Sequence, residues 1–430
     1  MPVPLTSPGV YIQEVPSGSR AITGVATAIA AFVGRALRGP VDEAIRVSSV
    51  TEFEQIFGGL WRQSGLGYAV RDYFLNGGAT ALIVRLGGGA TTARLDVDGL
   101  RLEAYGPGSW GDGLTAAALH PADSDAAEVS TAQGVHKDEL FHLTVADATG
   151  LREDFFNVTV ADGPRRVDLV LQSSRLVRLE KGRALPAGRP AAKTYKVASA
   201  AKGSDGRALA EADYASLWTA LDAVELFTIL CLPPSAPTEH LPDAVWQEAL
   251  RYCLKRRAFL LVDPPEAASA QSIRTWLQAR GLTGDMARNG ALYFPRIRRP
   301  DPLRDGAVGE FVPCGAVAGV MARTDAARGV WKAPAGIDAG LAGASGLSVA
   351  LTDADNGDLN GKGINCLRSF RDTGSVVWGA RTLRGADVLA DEYRYVPVRR
   401  LTLFLEESLF RGSQWVVFEP NDEPLWAQIR

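Results

Sequence analysis

The chain has 430 residues, is 46% hydrophobic and 22% charged, and carries a formal charge of −3 from 46 basic and 49 acidic residues. This is globular composition, and the length allows two or three cores rather than one. The balance of charges excludes a global basic field for nucleic acid and an acidic, disordered tail.

The first predicted element is a β-strand within "SPGVYIQEVPSG", residues 7–18. Val10 and Ile12 point to one side and Tyr11 and Val15 to the other, and Pro and Gly residues close both ends. A strand that is apolar on both faces needs a sheet around it. Because this strand precedes any core of its own chain, the sequence leaves open which sheet it joins.

Residues 28–86 alternate apolar strands with amphipathic helices, and the same rhythm returns after residue 203. This alternation predicts an α/β fold with a three-layer core and mainly parallel strands. We assign residues 21–91 and 201–310 to one discontinuous α/β domain. Between them, residues 92–200 consist of period-2 segments separated by Gly and Asp, which predicts a β-rich inserted domain. Residues 311–430 mix Gly-rich loops, short strands and helix, and are predicted to form an α+β carboxyl-terminal domain.

Four fragments resemble catalytic or ligand-binding motifs, but their context argues against each. "GPGSWG" (106–111) has the glycines of a dinucleotide loop without the following helix, so we predict a tight turn. "GDLNGK" (357–362) is one residue short of a phosphate loop, and "DADNGD" (353–358) lacks the final Glu of a calcium loop, which favours a polar turn. "RDTGSVVWG" (371–379) carries a single Asp-Thr-Gly, whereas aspartic proteases need two carboxylates.

The remaining chemistry-bearing residues also lack a catalytic pattern. The four cysteines form no CxxC pair and are predicted to be buried, reduced thiols, and the four histidines contain no HxxxH. Asp263, at the end of a predicted strand, could lie at the carboxyl edge of a sheet, where ligands often bind, or simply end the strand. We therefore predict no catalytic, cofactor-binding or metal-binding residues, and keep an α/β enzyme with an unrecognised active site as the alternative.

Signal peptides and transmembrane helices also have characteristic sequence patterns. The first nine residues carry neither a basic nor an apolar segment, and no run reaches the roughly 18 apolar residues of a transmembrane helix. We expect synthesis in the cytoplasm without a signal peptide.

Several stretches, in order along the chain, resemble the tail sheath proteins of contractile phage tails and related contractile injection systems. Family members usually continue past the last of these stretches, so we expect the family's final segment to be missing from the 311–430 domain. The similarity is weak over residues 92–200, which would be the outer, variable part of a sheath. The matching stretches are "SPGVYIQEVPSGSRAITGVATAIAAFVGRALRGP" (7–40), "AVRDYFLNGGATALIVRL" (69–86), "GSWGDGL" (108–114), "LYFPRI" (292–297), "VPCGAVAGVMARTDAARGVWKAPAG" (312–336), "LNGKGINCLRSF" (359–370), "VVWGARTL" (376–383), "YVPVRRL" (395–401) and "WVVFEPNDEPLW" (415–426).

The resemblance implies an answer for the amino-terminal strand. In such sheaths an amino-terminal arm, here residues 1–20, leaves its subunit and adds a strand to the carboxyl-terminal inner domain of a neighbour. The exchanging residues would be Gly9, Val10, Tyr11, Ile12, Gln13, Glu14 and Val15. Strand exchange between subunits would then complete the 311–430 domain.

The resemblance also implies a function. The chain would be a structural, non-enzymatic subunit of a contractile sheath in a phage tail or tail-like particle, contracting from a metastable extended state to drive an inner tube through a target envelope. Its partners would be itself in a helical stack of rings, the inner tube protein, and baseplate and tail terminator proteins, with no nucleic acid and no direct membrane insertion. Five residues are expected in inner-domain packing or subunit contact: Trp331, Lys332, Pro334, Trp378 and Arg381.

Overall fold

The computed structural model describes residues 22–235 and 240–429. The predicted strand at 7–18 and the exchanging residues 9–15 lie outside the described residues. The strands are β1 (Ala30–Gly34), β2 (Ala44–Val47), β3 (Ala81–Arg85), β4 (Arg94–Val97), β5 (Leu100–Ala104), β6 (Thr115–Leu119), β7 (Leu140–Ala146), β8 (Arg152–Thr159), β9 (Val177–Leu179), β10 (Thr194–Lys196), β11 (Ile229–Cys231), β12 (Phe259–Val262), β13 (Gly290–Phe294), β14 (Ile297–Pro300), β15 (Val308–Phe311), β16 (Gly346–Leu347), β17 (Ile364–Phe370) and β18 (Gly374–Val377). The helices are α1 (Val50–Phe57), α2 (Leu66–Leu75), α3 (Asp123–Gln133), α4 (Val167–Val170), α5 (Ala215–Asp222), α6 (Asp243–Arg256), α7 (Ser272–Ala279), α8 (Cys314–Arg328), α9 (Asp353–Asn360), α10 (Val396–Gly412) and α11 (Glu423–Ile429).

The largest sheet has eight strands in the order β18-β17-β13-β12-β11-β1-β3-β2. All neighbours from β17 to β3 pair in parallel, and only the two edge strands are antiparallel. The central strands are continuous apolar runs such as AAFVG in β1 and FLLV in β12, and every residue of these two strands is buried. Such runs suit a sheet that is covered on both faces. The mixed α/β class predicted from the sequence is confirmed.

Side chains of the large sheet alternate between two hydrophobic clusters. From β1, Ala30 and Phe32 enter the first cluster together with residues of α1, α2, α8 and α10. Ala31 and Val33 enter the second cluster with residues of α5, α6 and α7. Because successive strand residues point to opposite faces, the two groups of helices cover opposite sides of the sheet.

The carboxyl-terminal region contributes to this same sheet. Strand β17 pairs with β13, and β18 pairs with β17, so the sheet crosses the boundary assigned at residue 310. Helix α8 packs very closely on α2: a Cβ atom on Gly315 would lie 2.0 Å from the carbonyl oxygen of Ala69, and one on Gly319 would lie 2.5 Å from that of Tyr73. The two glycines thus permit backbone contact between the helices.

Residues 92–200 contain a separate cluster between two small antiparallel sheets. One sheet has the order β10-β6-β7-β8 and the other β4-β5-β9. The period-2 pattern of β7 is visible in its burial, where Leu143 and Val145 are buried and Thr144 and Ala146 are not. A third small sheet, β15-β14-β16, lies outside this region.

Two local predictions have different outcomes. "DADNGD" forms the start of α9 rather than the polar turn expected for it. The turn prediction was wrong because the Thr352 hydroxyl accepts from the Asp355 N–H while the Asp355 carboxylate accepts from the Thr352 N–H, a capping arrangement that starts a helix. The four cysteines are buried free thiols, as predicted.

Among the described residues, no helix is both long and apolar enough to cross a membrane.

Candidate assembly surface

The best candidate for a buried chemical site lies at the carboxyl end of β12. The Asp263 side chain accepts a hydrogen bond from the Cys314 N–H at the first turn of α8 (3.0 Å). Burial raises the pKa of Asp263 to about 7, although this N–H opposes the shift. Burial also raises the pKa of the Cys231 and Cys314 thiols, so both remain protonated at neutral pH. The Asp263 carboxyl therefore holds the start of α8 and lies beside no activated thiol.

Other motif fragments show no catalytic geometry. Asp372 of the Asp-Thr-Gly fragment is exposed in the turn between β17 and β18. The described residues contain no group of three or more His, Cys, Asp or Glu residues that could hold a metal ion.

Helix α10 presents an apolar stripe to solvent. Val398, Leu405 and Leu409 are spaced by seven and four residues, so they share one face of the helix. Each is 44% to 53% exposed. The exposed apolar residues continue beyond α10, and Phe418 is 97% exposed. Large exposed apolar groups of this kind mark interaction sites. We call the following residues the assembly surface: Val398, Leu405, Leu409, Phe410, Val417, Phe418, Trp426 and Ile429.

A buried ion pair attaches α10 to the core. The Arg400 guanidinium donates to both Asp325 oxygens on α8 (2.9 and 2.6 Å) and to the Thr27 carbonyl oxygen (2.9 Å). Both side chains are only 3% exposed. The adjacent Arg399 donates to the Asn289 side-chain oxygen (3.1 Å). These two arginines and the buried Val396 and Leu403 fix which face of α10 lies against the core, and the apolar stripe lies on another face.

Polar contacts also hold the last turns of α10. Glu407 accepts from Arg257 (3.0 Å) and from Arg411 (2.6 Å), and Arg411 also reaches the exposed Glu225 (2.6 Å). The Arg257 guanidinium lies 4.3 Å from the centre of the Phe410 ring. These contacts fix the helix, while the other described residues leave the apolar stripe about half exposed.

The first described residues of the chain, 22–25, lie next to this surface. The Val25 N–H donates to the Ser408 hydroxyl of α10 (3.1 Å). Gly24 lies against the Phe404 ring and Ile22 against Gly412. The first described residues therefore lie along the carboxyl-terminal half of α10.

The five residues expected in packing or subunit contact lie in two segments that are hydrogen-bonded to each other, since the Gly336 N–H donates to the Val377 carbonyl oxygen (2.9 Å). Trp331 is 66% exposed, whereas Pro334 is buried nearby and Lys332 donates to the carbonyl oxygen of Ala333. Trp378 is half-buried with its ring 4.7 Å from that of Phe370. 

The Arg381 guanidinium donates hydrogen bonds to the Asp387 carboxylate and to the carbonyl oxygen of Gly385. Pro334, Trp378 and Arg381 thus have partners within the chain, while Trp331 is open to a contact from outside. Sequence reasoning missed the α10 stripe, although the spacing of apolar residues in "VRRLTLFLEESLF" was a usable signal.

Comparisons with known proteins agree on one family. Residues 208–383 match the phage tail sheath protein central domain. A curated relative, the tail sheath protein of Vibrio phage KVP40, is 34% identical over 110 residues; the match covers 25% of this chain and 16% of that protein.

Solved sheath structures share the fold over nearly the whole chain. The contracted helical sheath of the anti-feeding prophage is 24% identical, with a TM-score of 0.54, over 99% of this chain and 81% of that chain. A sheath tail protein from Listeria innocua is 14% identical, with a TM-score of 0.63, over 94% of this chain and 82% of that chain. The chain thus carries the central domain of phage tail sheath proteins, and its resemblance to that family is confirmed.

Proposed function

We propose that the chain is the structural subunit of a contractile sheath in a phage tail or tail-like particle. The observation that carries this proposal is the assembly surface on α10, together with the tail sheath central domain beside it. An apolar stripe on a firmly attached helix suits a subunit that is stable alone and buries this surface on assembly. The protonated, buried thiols and the exposed Asp372 favour this role over an enzyme.

Subunits would join through the amino-terminal arm. Residues 9–15 would add a strand to a neighbour's sheet, with backbone hydrogen bonds for attachment and alternate side chains for register. About five ladder bonds, each contributing ~1 kcal/mol net, give one arm a modest affinity. Many arms along a helical lattice would hold the polymer together by avidity. Val25, near the start of the described chain, is bonded to Ser408 of α10, and this position beside the assembly surface supports the proposal.

Contraction would release energy stored in the lattice. The extended sheath would be metastable, held by a kinetic barrier and triggered at a baseplate, with rigid-body movement of subunits and no nucleotide hydrolysis. The proposed partners are further copies of the chain, an inner tube protein, and baseplate and terminator proteins.

The test is assembly of full-length protein carrying Ile12→Pro, with Ile12→Val as the matched control. Proline removes one ladder donor and disfavours a sheet interior, while valine keeps the N–H and a β-branched side chain. Under conditions in which the parent forms tubes visible by electron microscopy, Ile12→Pro should stay monomeric with an unchanged melting temperature. The Ile12→Val variant should form tubes. Normal tubes from Ile12→Pro would refute the arm as the link between subunits.

A further inference from the structure

The glycine-rich loop 106–113, which resembles a dinucleotide loop in sequence, lies where the insertion meets the α/β core. Gly106 and Gly108 have φ angles of +127° and +133°. A Cβ atom on Gly106 would lie 2.3 Å from the Gly39 carbonyl oxygen, and one on Gly108 would lie 2.6 Å from that of Leu37. These distances leave no room for a side chain, so the glycines bring the loop into backbone contact with the core segment after β1.

The two chain segments that connect the insertion to the core are also bonded to each other. Thr91 in the incoming segment and Ser204 in the outgoing segment exchange backbone hydrogen bonds in both directions (3.0 Å each). The Gly108 N–H donates to the Thr91 carbonyl oxygen (3.0 Å), and the Gly203 N–H donates to Asp112 (2.7 Å). The loop and both connections therefore form one hydrogen-bonded unit, which we call the domain joint: residues 37–39, 87–93, 106–113 and 203–207.

Asp205 links two of these segments to each other and to the end of β1. Its carboxylate accepts from the Ser109 N–H (2.8 Å) and the Ser109 hydroxyl (2.9 Å). Its carbonyl oxygen accepts from the Arg35 guanidinium at the end of β1 (3.0 Å). One residue thus ties the outgoing connection to the insertion loop and to the core.

Two core arginines complete the domain joint. Arg85 donates to the Gly39 carbonyl oxygen on the core side (2.6 Å) and to the Pro107 carbonyl oxygen on the insertion side (2.7 Å). Burial lowers the pKa of Arg85 to about 10, so it remains charged at neutral pH. Arg38 forms an ion pair with Asp147 of the insertion (3.0 Å), whose side chain is 3% exposed. Separating the two domains would leave buried charged groups without these partners, which is strongly unfavourable.

We propose that the domain joint makes the insertion and the α/β core one mechanical and cooperative unit, with Asp205 as its positioning residue. Short flexible connections would let an inserted domain swing and unfold by itself. Here the connections are bonded to each other, to a loop of the insertion and to arginines of the core. The inserted domain would therefore follow every rotation of the core, and would melt with it in a single transition.

The experiment compares full-length monomeric protein with three variants by scanning calorimetry and amide hydrogen exchange. Gly108→Ala and Gly150→Ala form a matched pair, because Gly150 also has a positive φ (+92°) but has no atom within 4 Å of an added Cβ. Asp205→Asn is the milder variant, because it keeps the shape of the side chain and removes its charge. It therefore still tests the domain joint if Gly108→Ala does not fold.

The parent and Gly150→Ala should melt in one transition. In Asp205→Asn, exchange of the Thr91 and Ser204 amides should accelerate at least about tenfold, since local opening becomes easier. Gly108→Ala should separate the melting of the insertion from that of the core, or fail to fold. Two transitions in the parent, or unchanged exchange at Thr91 and Ser204 in Asp205→Asn, would overturn the proposal.

Discussion

The buried pair between Arg400 and Asp325 provides the sharpest test of how α10 is held. Asp325→Ala removes two charge-assisted hydrogen bonds of the Arg400 guanidinium, which is 3% exposed. The hydrogen bond from Arg400 to the Thr27 carbonyl oxygen remains. Breaking one member of a buried pair typically costs about 3–5 kcal/mol, because the other charge remains buried. We expect Asp325→Ala to lower the free energy of unfolding by about 3 kcal/mol, since the remaining hydrogen bond offsets part of the loss.

The control is an ion pair on the same helix that is open to solvent. Glu225 pairs with Arg411 but is 88% exposed, so Glu225→Ala should cost at most about 1 kcal/mol. The double variant Asp325→Leu/Arg400→Met replaces both charges with apolar groups, and should recover much of the lost stability. This recovery distinguishes an uncompensated charge from a simple packing defect.

The assay is urea unfolding of the monomer, monitored by circular dichroism. The midpoint should shift for Asp325→Ala with little change in slope, because the surface exposed on unfolding is nearly the same. A loss below about 1 kcal/mol for Asp325→Ala, equal to that of Glu225→Ala, would show that the buried pair does not hold α10.

Leu409→Asp on the assembly surface should block tube formation in sedimentation without changing the melting temperature. Leu119→Asp, on an equally exposed residue of the insertion, should leave both tube formation and the melting temperature unchanged; tubes from Leu409→Asp would exclude the stripe from the interface. Asp263, whose pKa is raised to about 7, binds its proton in the folded state more tightly than in the unfolded state, so its contribution to stability is present at acid pH and lost as the pH rises to about 7. The stability of the parent relative to Asp263→Asn, measured by urea unfolding, should therefore fall from pH 5 to pH 7.5, and a flat or rising difference would contradict the burial of this carboxyl. Asp372→Asn, in an exposed turn, should change neither stability nor assembly by more than about 0.5 kcal/mol, and reproducible peptide cleavage lost in this variant would reopen the enzyme alternative.

Local patterns were enough to predict the α/β class and most elements of the large sheet. The apolar runs of β1, β3 and β12 indicate strands covered on both faces. Ser49 followed by Glu52 is a local pattern that starts a helix, and the Ser49 hydroxyl accepts from the Glu52 N–H at the start of α1. These signals are readable because periodicity and capping depend on residues only a few positions apart.

The candidate site was harder to predict, because exposure is not a local property. The sequence led to the same expectation for Trp331 and Trp378, inner-domain packing or subunit contact, yet Trp331 is 66% exposed and Trp378 packs on Phe370. The apolar residues of α10 recur with a helical period in the sequence, but the sequence does not show which face of the helix the rest of the protein covers. The inward direction of Arg399 and Arg400 depends on Asn289 and Asp325, which are more than 70 residues away.

The sequence by itself therefore determined the elements of this protein: buried parallel strands, capped helices, a period-2 insertion and a set of glycine-rich loops. Only the tertiary structure decided that β17 and β18 extend the large sheet across residue 310, and that "GPGSWG" (106–111) meets "GSDG" (203–206) in the domain joint. The physical reason is that strand neighbours and close backbone contacts are selected by packing between segments far apart in the chain. A glycine that permits a turn and a glycine that permits contact with another segment look the same until that segment is in place.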